Sequence, residues 1–185
     1  EADDLFKSMR NYMESDDPFS FKSLNFSSKK INIKKFKKPA KQNEVLVSTI
    51  IADNEAASVE KCINSLGVNA KVKKYLHFEI DATDRLDINT IVSTDVLFNP
   101  SKEYIANIKE ESDIYRFLVR SKDDIVGQSL AQTLQDRFNL SGLKSIKKGV
   151  VWEVKINSSR AKKDVDIILN SHIFSNPISQ ECHEY

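Results

Sequence analysis

Two stretches far apart in this chain end the same way, and that repetition limits the folds open to it. DVLFNP and HIFSNP close segments that match position for position: Ile91-Val92 over Ile168-Leu169, Val96-Leu97 over Ile173-Phe174, and Asn99-Pro100 over Asn176-Pro177. An earlier block repeats too. VKKYLHFEID matches IKKGVVWEVKI, which sets Lys73-Lys74 over Lys147-Lys148 and Glu79 over Glu153. The offset is 77 in one block (91 to 168) and 74 in the other (73 to 147), a difference that a loop absorbs at little entropic cost. Repeats of this kind point to stacked or paired copies of one supersecondary unit.

The hydrophobic pattern gives both copies the same element order. VLVSTIIA is β-branched and apolar, as a buried strand is. EAASVEKCINSLGV places Ala56, Val59, Ile63 and Leu66 at helical spacing, with Cys62 read onto the same apolar side, and Gly67 stands where a helix end favours positive φ. AKVKKYLHFEID alternates, with Leu76, Phe78 and Ile80 on one face and Tyr75, His77 and Glu79 on the other. RLDINTIVSTDVLFNP returns to helical spacing, and Pro100 is expected to end that helix. SKEYIANI is a closing strand. In the second copy DIYRFLVRS is a strand and DIVGQSLAQTLQDRFNLSG a helix facing inward through Val126, Leu130, Leu134 and Phe138. LKSIKKGVVWEVKINS is strand, turn and strand, with the turn at Gly149. A helix through Val165, Ile168, Leu169 and Ile173 and the strand ISQECHEY complete it.

The expected fold is therefore α+β: tandem ferredoxin-like (βαββαβ) repeats over residues 44–110 and 111–185, forming a pseudo-dimer whose two sheets pack on each other. Residues 1–43 form an N-terminal extension. It begins with a short amphipathic helix through Leu5, Phe6, Met9 and Met13 and continues into KKINIKKFKKPAK. There Lys29, Lys30, Lys34, Lys35, Lys37 and Lys38 make a basic arm suited to RNA or an acidic protein surface. The simpler reading is a solvated linker or an edge strand guarded by lysine. Phe19, Phe21, Phe26 and Phe36 imply that the arm docks.

Chemistry is harder to find. The formal net charge of +1, with 30% charged residues, gives no strong field for nucleic acid. Cys62 and Cys182 have no metal-ligand spacing and suggest a reducing, cytoplasmic setting. His77, His172 and His183 lack partners at ligand spacing, so no metal site is expected. Four glycines form neither a phosphate-binding loop nor a nucleophile elbow, and no cofactor or catalytic residue is assigned. Acid pairs such as Asp123-Asp124 read as helix starts. No apolar run approaches the roughly 20 residues of a bilayer span, and a membrane partner is not expected.

In IYRFLVRSKDDIVGQSLAQTLQDRF, LKSIKKGVVWEVKI and ILNSHIFSNPISQE, the second copy resembles the PurS-type small subunit of phosphoribosylformylglycinamidine synthase. Asp124 and Gly127, Lys147-Lys148-Gly149 and Asn176-Pro177 occupy the family's motif places. The first copy keeps Lys73-Lys74 and Asn99-Pro100 but has no glycine before its helix, and Tyr75 replaces the turn glycine. The resemblance implies a non-catalytic module that bridges synthetase and glutaminase subunits in purine biosynthesis, two units being fused in one chain. Lys73, Lys74, Lys147, Lys148, Asn99 and Asn176 are then the candidate interaction residues. The alternative is an RNA- or protein-binding adaptor that uses the basic arm.

Overall fold

The computed structural model describes residues 33–39, 42–83, 86–109 and 111–185. Lys29, Lys30, the other phenylalanines of the arm and the amphipathic stretch near residue 1 lie outside these. The fold is α+β. Four helices lie beside one mixed seven-stranded sheet among the described residues. The strands are β1 (Lys34–Lys35), β2 (Gln42–Thr49), β3 (Ala70–Ala82), β4 (Glu103–Ile105), β5 (Ile114–Ser121), β6 (Leu143–Ile156) and β7 (Gln180–Glu184). The helices are α1 (Asn54–Ser65), α2 (Ile88–Val92), α3 (Ile125–Phe138) and α4 (Ala161–Asn170). No described helix is long and apolar enough to cross a membrane.

The sheet order is β1-β7-β5-β6-β3-β2-β4. Without β1 it is a palindrome: third, first and second strand of one half, then second, first and third of the other. Each half contributes β-α-β-α-β, three strands instead of the expected four. The difference lies at Gly149. It makes no turn but continues β6, paired with His77 on one side and Arg120 on the other. A Cβ there would meet Arg120 Cγ and Leu118 Cδ1, both at 2.9 Å, so glycine serves close side-chain packing.

Because β3 and β6 pair along almost their whole length, the halves join edge to edge in one sheet. The expected face-to-face packing of two sheets does not occur. Leu76 lies opposite Val150, its own counterpart in the repeat (76 + 74 = 150), so a local pseudo-two-fold axis passes between them. A strand edge satisfied this way gains the backbone hydrogen bonds that a free edge leaves to water.

All four helices contribute to two cores on one face. Even-numbered residues of β3 and β6 point to them. One core packs Ile63 of α1 and Ile168 of α4 against Val72, Phe117, Trp152 and Val154. The other packs Ile91 of α2 and Ala131 and Leu134 of α3 against Val45, Val47, Phe78 and Ile80. Each core thus joins the first helix of one half to the second helix of the other.

Helix details depart from the expected spacing. Cys62 is exposed, while Ile63 beside it is fully buried. In α3 the buried positions are Gly127, Ala131 and Leu134, whereas Val126 and Phe138 are exposed. Small residues bring this helix close to the sheet: a Cβ on Gly127 would sit 2.5 Å from the Ile146 carbonyl. Pro100 does not end α2. The helix stops at Val92 and the chain turns through Asp95, at φ 56°; His172, 77 positions on, does the same at φ 55°.

Candidate functional site

Odd-numbered residues of β3 and β6 point to the opposite face, on which no helix lies among the described residues. Leu46, Tyr75, Ala106, Leu118 and Val151 form a buried apolar patch there, with Phe36, Ile108 and Tyr185 packed against it. Within this surface lie two buried carboxylates. A buried charge is tolerable only when paired, and the strand register supplies the partners. Pairing about Leu76 and Val150 sets Lys73 opposite Glu153 and Lys147 opposite Glu79. The two matching sequence positions become two matching ion pairs.

At the first centre Glu79 is 2% exposed and accepts from Arg120 Nη2 at 2.8 Å, with Lys147 Nζ at 3.5 Å. The fully buried His77 lies between Glu44, 2.9 Å from Nε2, and Arg120, 3.3 Å from Nδ1. In the neutral ring this arrangement places the proton on Nε2 and lets Nδ1 accept from the guanidinium. Phe36 closes the site: it stands edge-on to His77, stacks on Tyr185, and has the Arg120 guanidinium 5.0 Å from its ring centre. Burial, and then the charge of Glu44, push the Tyr185 phenol up to about 12.

At the second centre Glu153 accepts from Arg116 Nε at 2.9 Å and Nη2 at 2.8 Å. The Tyr75 hydroxyl donates to it at 3.4 Å, and Lys73 Nζ lies 3.7 Å away. Burial, then the Glu153 charge, raise the Tyr75 phenol to about 12. A groove of about 390 Å³ opens beside this centre, lined by Lys71, Lys73, Tyr75, Arg116, Glu153 and Lys155 among others. The buried acids of both centres are thus held by cations of the same chain, an arrangement that stabilises a surface. Among the described residues no three His, Cys, Asp or Glu side chains converge as a metal set would.

Glu44 gives this face a pH dependence. Burial opposes its ionisation, but the hydrogen bond and favourable electrostatics of the His77 N–H, and then Lys38 at 3.2 Å, outweigh it, holding the carboxyl below its ordinary 4.5. A depressed carboxylate contributes stability that is complete above its unfolded value and is lost as pH falls through the folded one. Denaturant midpoints taken from neutral pH down through the carboxylate range should fall less steeply for Glu44→Gln than for the parent chain.

The other sequence-selected residues are largely engaged within the chain. Asp53 caps α1 and lies 3.3 Å from Lys74 Nζ; Asp124 caps α3 and accepts from the backbone N–H of Lys148 at 3.1 Å. Asn99 and Asn176 form the same turn twice. The Asn99 side chain accepts from the Ser101 N–H, and the Asn99 N–H donates to Glu103 Oε2; Asn176 does both with Ile178 and Gln180. In the arm, Lys34 and Lys35 form an edge strand parallel to β7 and are exposed, as is Lys37. The lysine-guarded edge is therefore present, and Phe36 is its docking residue. Sequence reasoning missed His77, Arg116, Arg120 and Tyr185. The matched Lys and Glu positions were a usable signal for the two centres once antiparallel pairing about Leu76 is assumed.

The chain matches no protein-family model and no curated protein.

Proposed function

We propose that this chain is a non-catalytic assembly module made of two copies of one β-α-β-α-β unit fused as a pseudo-dimer, acting like a PurS-type subunit to bridge a synthetase and a glutaminase. What supports this reading is one feature repeated at the two halves. The turn from the first strand to the first helix lies beside the Asn-Pro turn in each: Ile50 N–H donates to Lys102 O, and Lys122 N–H donates to Ser179 O. Both places display aliphatic side chains to solvent, Ile50 and Ile51 in one half and Ile125, Val126 and Ile178 in the other. Exposed apolar groups grouped this way favour protein contacts. A pseudo-symmetric pair of such surfaces suits a bridge. The RNA reading keeps Lys34, Lys35 and Lys37, while Lys38 is engaged with Glu44.

The test is capture from nuclease-treated native lysate with the full chain as bait, read by mass spectrometry. Synthetase and glutaminase subunits should be recovered, with Ile51→Asp and Ile178→Asp each weakening recovery. Recovery of RNA-associated proteins alone, or of neither enzyme subunit, would end the purine assignment.

A further inference from the structure

The two buried centres repeat one ion pair, Lys73 with Glu153 and Lys147 with Glu79, but the charges around that pair differ. The strand beside Glu153 places Arg116 next to it, where the neighbour of Glu79 is Glu44. Lys71 stands directly opposite Lys155 across β3 and β6, and the pseudo-two-fold axis carries these two positions onto Ser145 and Asp81. Like charges opposed across an antiparallel pair cost stability, and the counterpart pair shows that the fold does not need them. A local choice that works against the fold is what a binding site requires.

The opposed lysines line the groove of about 390 Å³, and the segment after β4 adds Asn107, Ile108 and Lys109 to its wall. Glu153 and Tyr75 line it too and are buried, and the Glu153 charge is already met by both donors of Arg116. The side chains of Lys71 and Lys73 are 73% exposed and that of Lys155 is 44% exposed. Glu60 lies 2.8 Å from Lys71 Nζ, while Asp113 and Glu111 lie 3.0 and 3.6 Å from Lys155 Nζ. Solvated bridges of this kind contribute little to stability, so each ammonium can turn to a stronger anion at small cost. Ammonium groups suit phosphate as point charges. The volume is that of a small-molecule site, and Ile108 and Ile114 offer apolar contact to an organic body.

We propose that this groove binds the phosphate group of a small molecule, held by Lys71, Lys73 and Lys155. The bound charge offsets the opposition of Lys71 and Lys155 that the free chain carries. The site stands on the groove and its charge and not on the bridging role, so either can fail alone.

Nuclear magnetic resonance titration of the isotope-labelled full chain with inorganic pyrophosphate, at ionic strength held constant with sodium chloride, should give saturable amide shifts at Lys71, Lys73, Ile108 and Lys155. The double variant Lys71→Ser, Lys155→Ser should keep the parent's circular dichroism and weaken binding by about tenfold or more, as the loss of two charge-assisted contacts implies. Lys144→Ser, at a lysine of β6 that bridges Asp81, should bind as the parent does. A second titration with glycerol 3-phosphate separates the sources of the phosphate. Displacement of pyrophosphate with added shifts at Ile114 assigns an ester, whereas binding of pyrophosphate alone assigns the inorganic ion. Shifts spread over exposed lysines without saturation, a double variant that binds as tightly as the parent, or equal weakening by Lys144→Ser would overturn the proposal.

Discussion

Arg120→Ala should destabilise the fold by about 3–5 kcal/mol, the range for removing one partner of a buried ion pair. Glu79, 2% exposed, would keep only Lys147, at 3.5 Å and itself more than half exposed at the side chain. His77 would lose the donor at Nδ1 and Phe36 the cation over its ring. Loss of a hydrogen bond to a charged group and of a partly desolvated cation–π contact accounts for part of this range, and the unpaired carboxylate for the rest. Guanidinium denaturation followed by circular dichroism measures the change. The double variant Arg120→Met, Glu79→Leu separates the causes, because apolar replacement of both partners removes the stranded charge. It should recover most of the loss. If Arg120→Ala costs under about 1 kcal/mol, the pair behaves like a solvated surface bridge and the centre is not dry.

That expectation depends on a contact that local pattern could not supply. The strand at 44–49, the alternation of Leu76, Phe78 and Ile80, and the helix stopped by Gly67 were legible because each depends on neighbours within a few residues. Gly67 takes φ 82°, as its place after α1 requires. Arg120 and Glu79 meet because β5 and β3 both pair with β6, and register between distant strands follows from turns and burial across the whole sheet. The same reason hid the single sheet. Lys-Lys-Gly reads as a turn in isolation, yet Gly149 is held extended between two partner strands. The repeated Asn-Pro pairs recur in the fold as one local geometry. Their side chains close the same local turn twice, a task that accounts for asparagine without any partner.

Trp152→Ala should have an effect of similar size at the opposite face, about 3–5 kcal/mol by the range for large aromatic truncations in a core. Trp152 is 4% exposed and its ring stacks 5.4 Å from Phe174, which stacks in turn 5.7 Å from Phe117. Truncation would empty the middle of a core that also holds Ile63 of α1 and Ile168 of α4. These helices come from different halves of the chain, so the cavity would loosen the joint between halves as well as the packing within one. A total stability of roughly 5–15 kcal/mol is usual for a domain, and the loss would be a large share of it. Trp152→Phe preserves an aromatic ring against Phe174 and should cost clearly less. Denaturation of both variants by circular dichroism tests the ordering. A single cooperative transition with a lowered midpoint for Trp152→Ala would mean that the shared core couples the halves; two separated transitions would mean that each half holds its fold without the other, and the exchange of helices between cores would contribute little to stability.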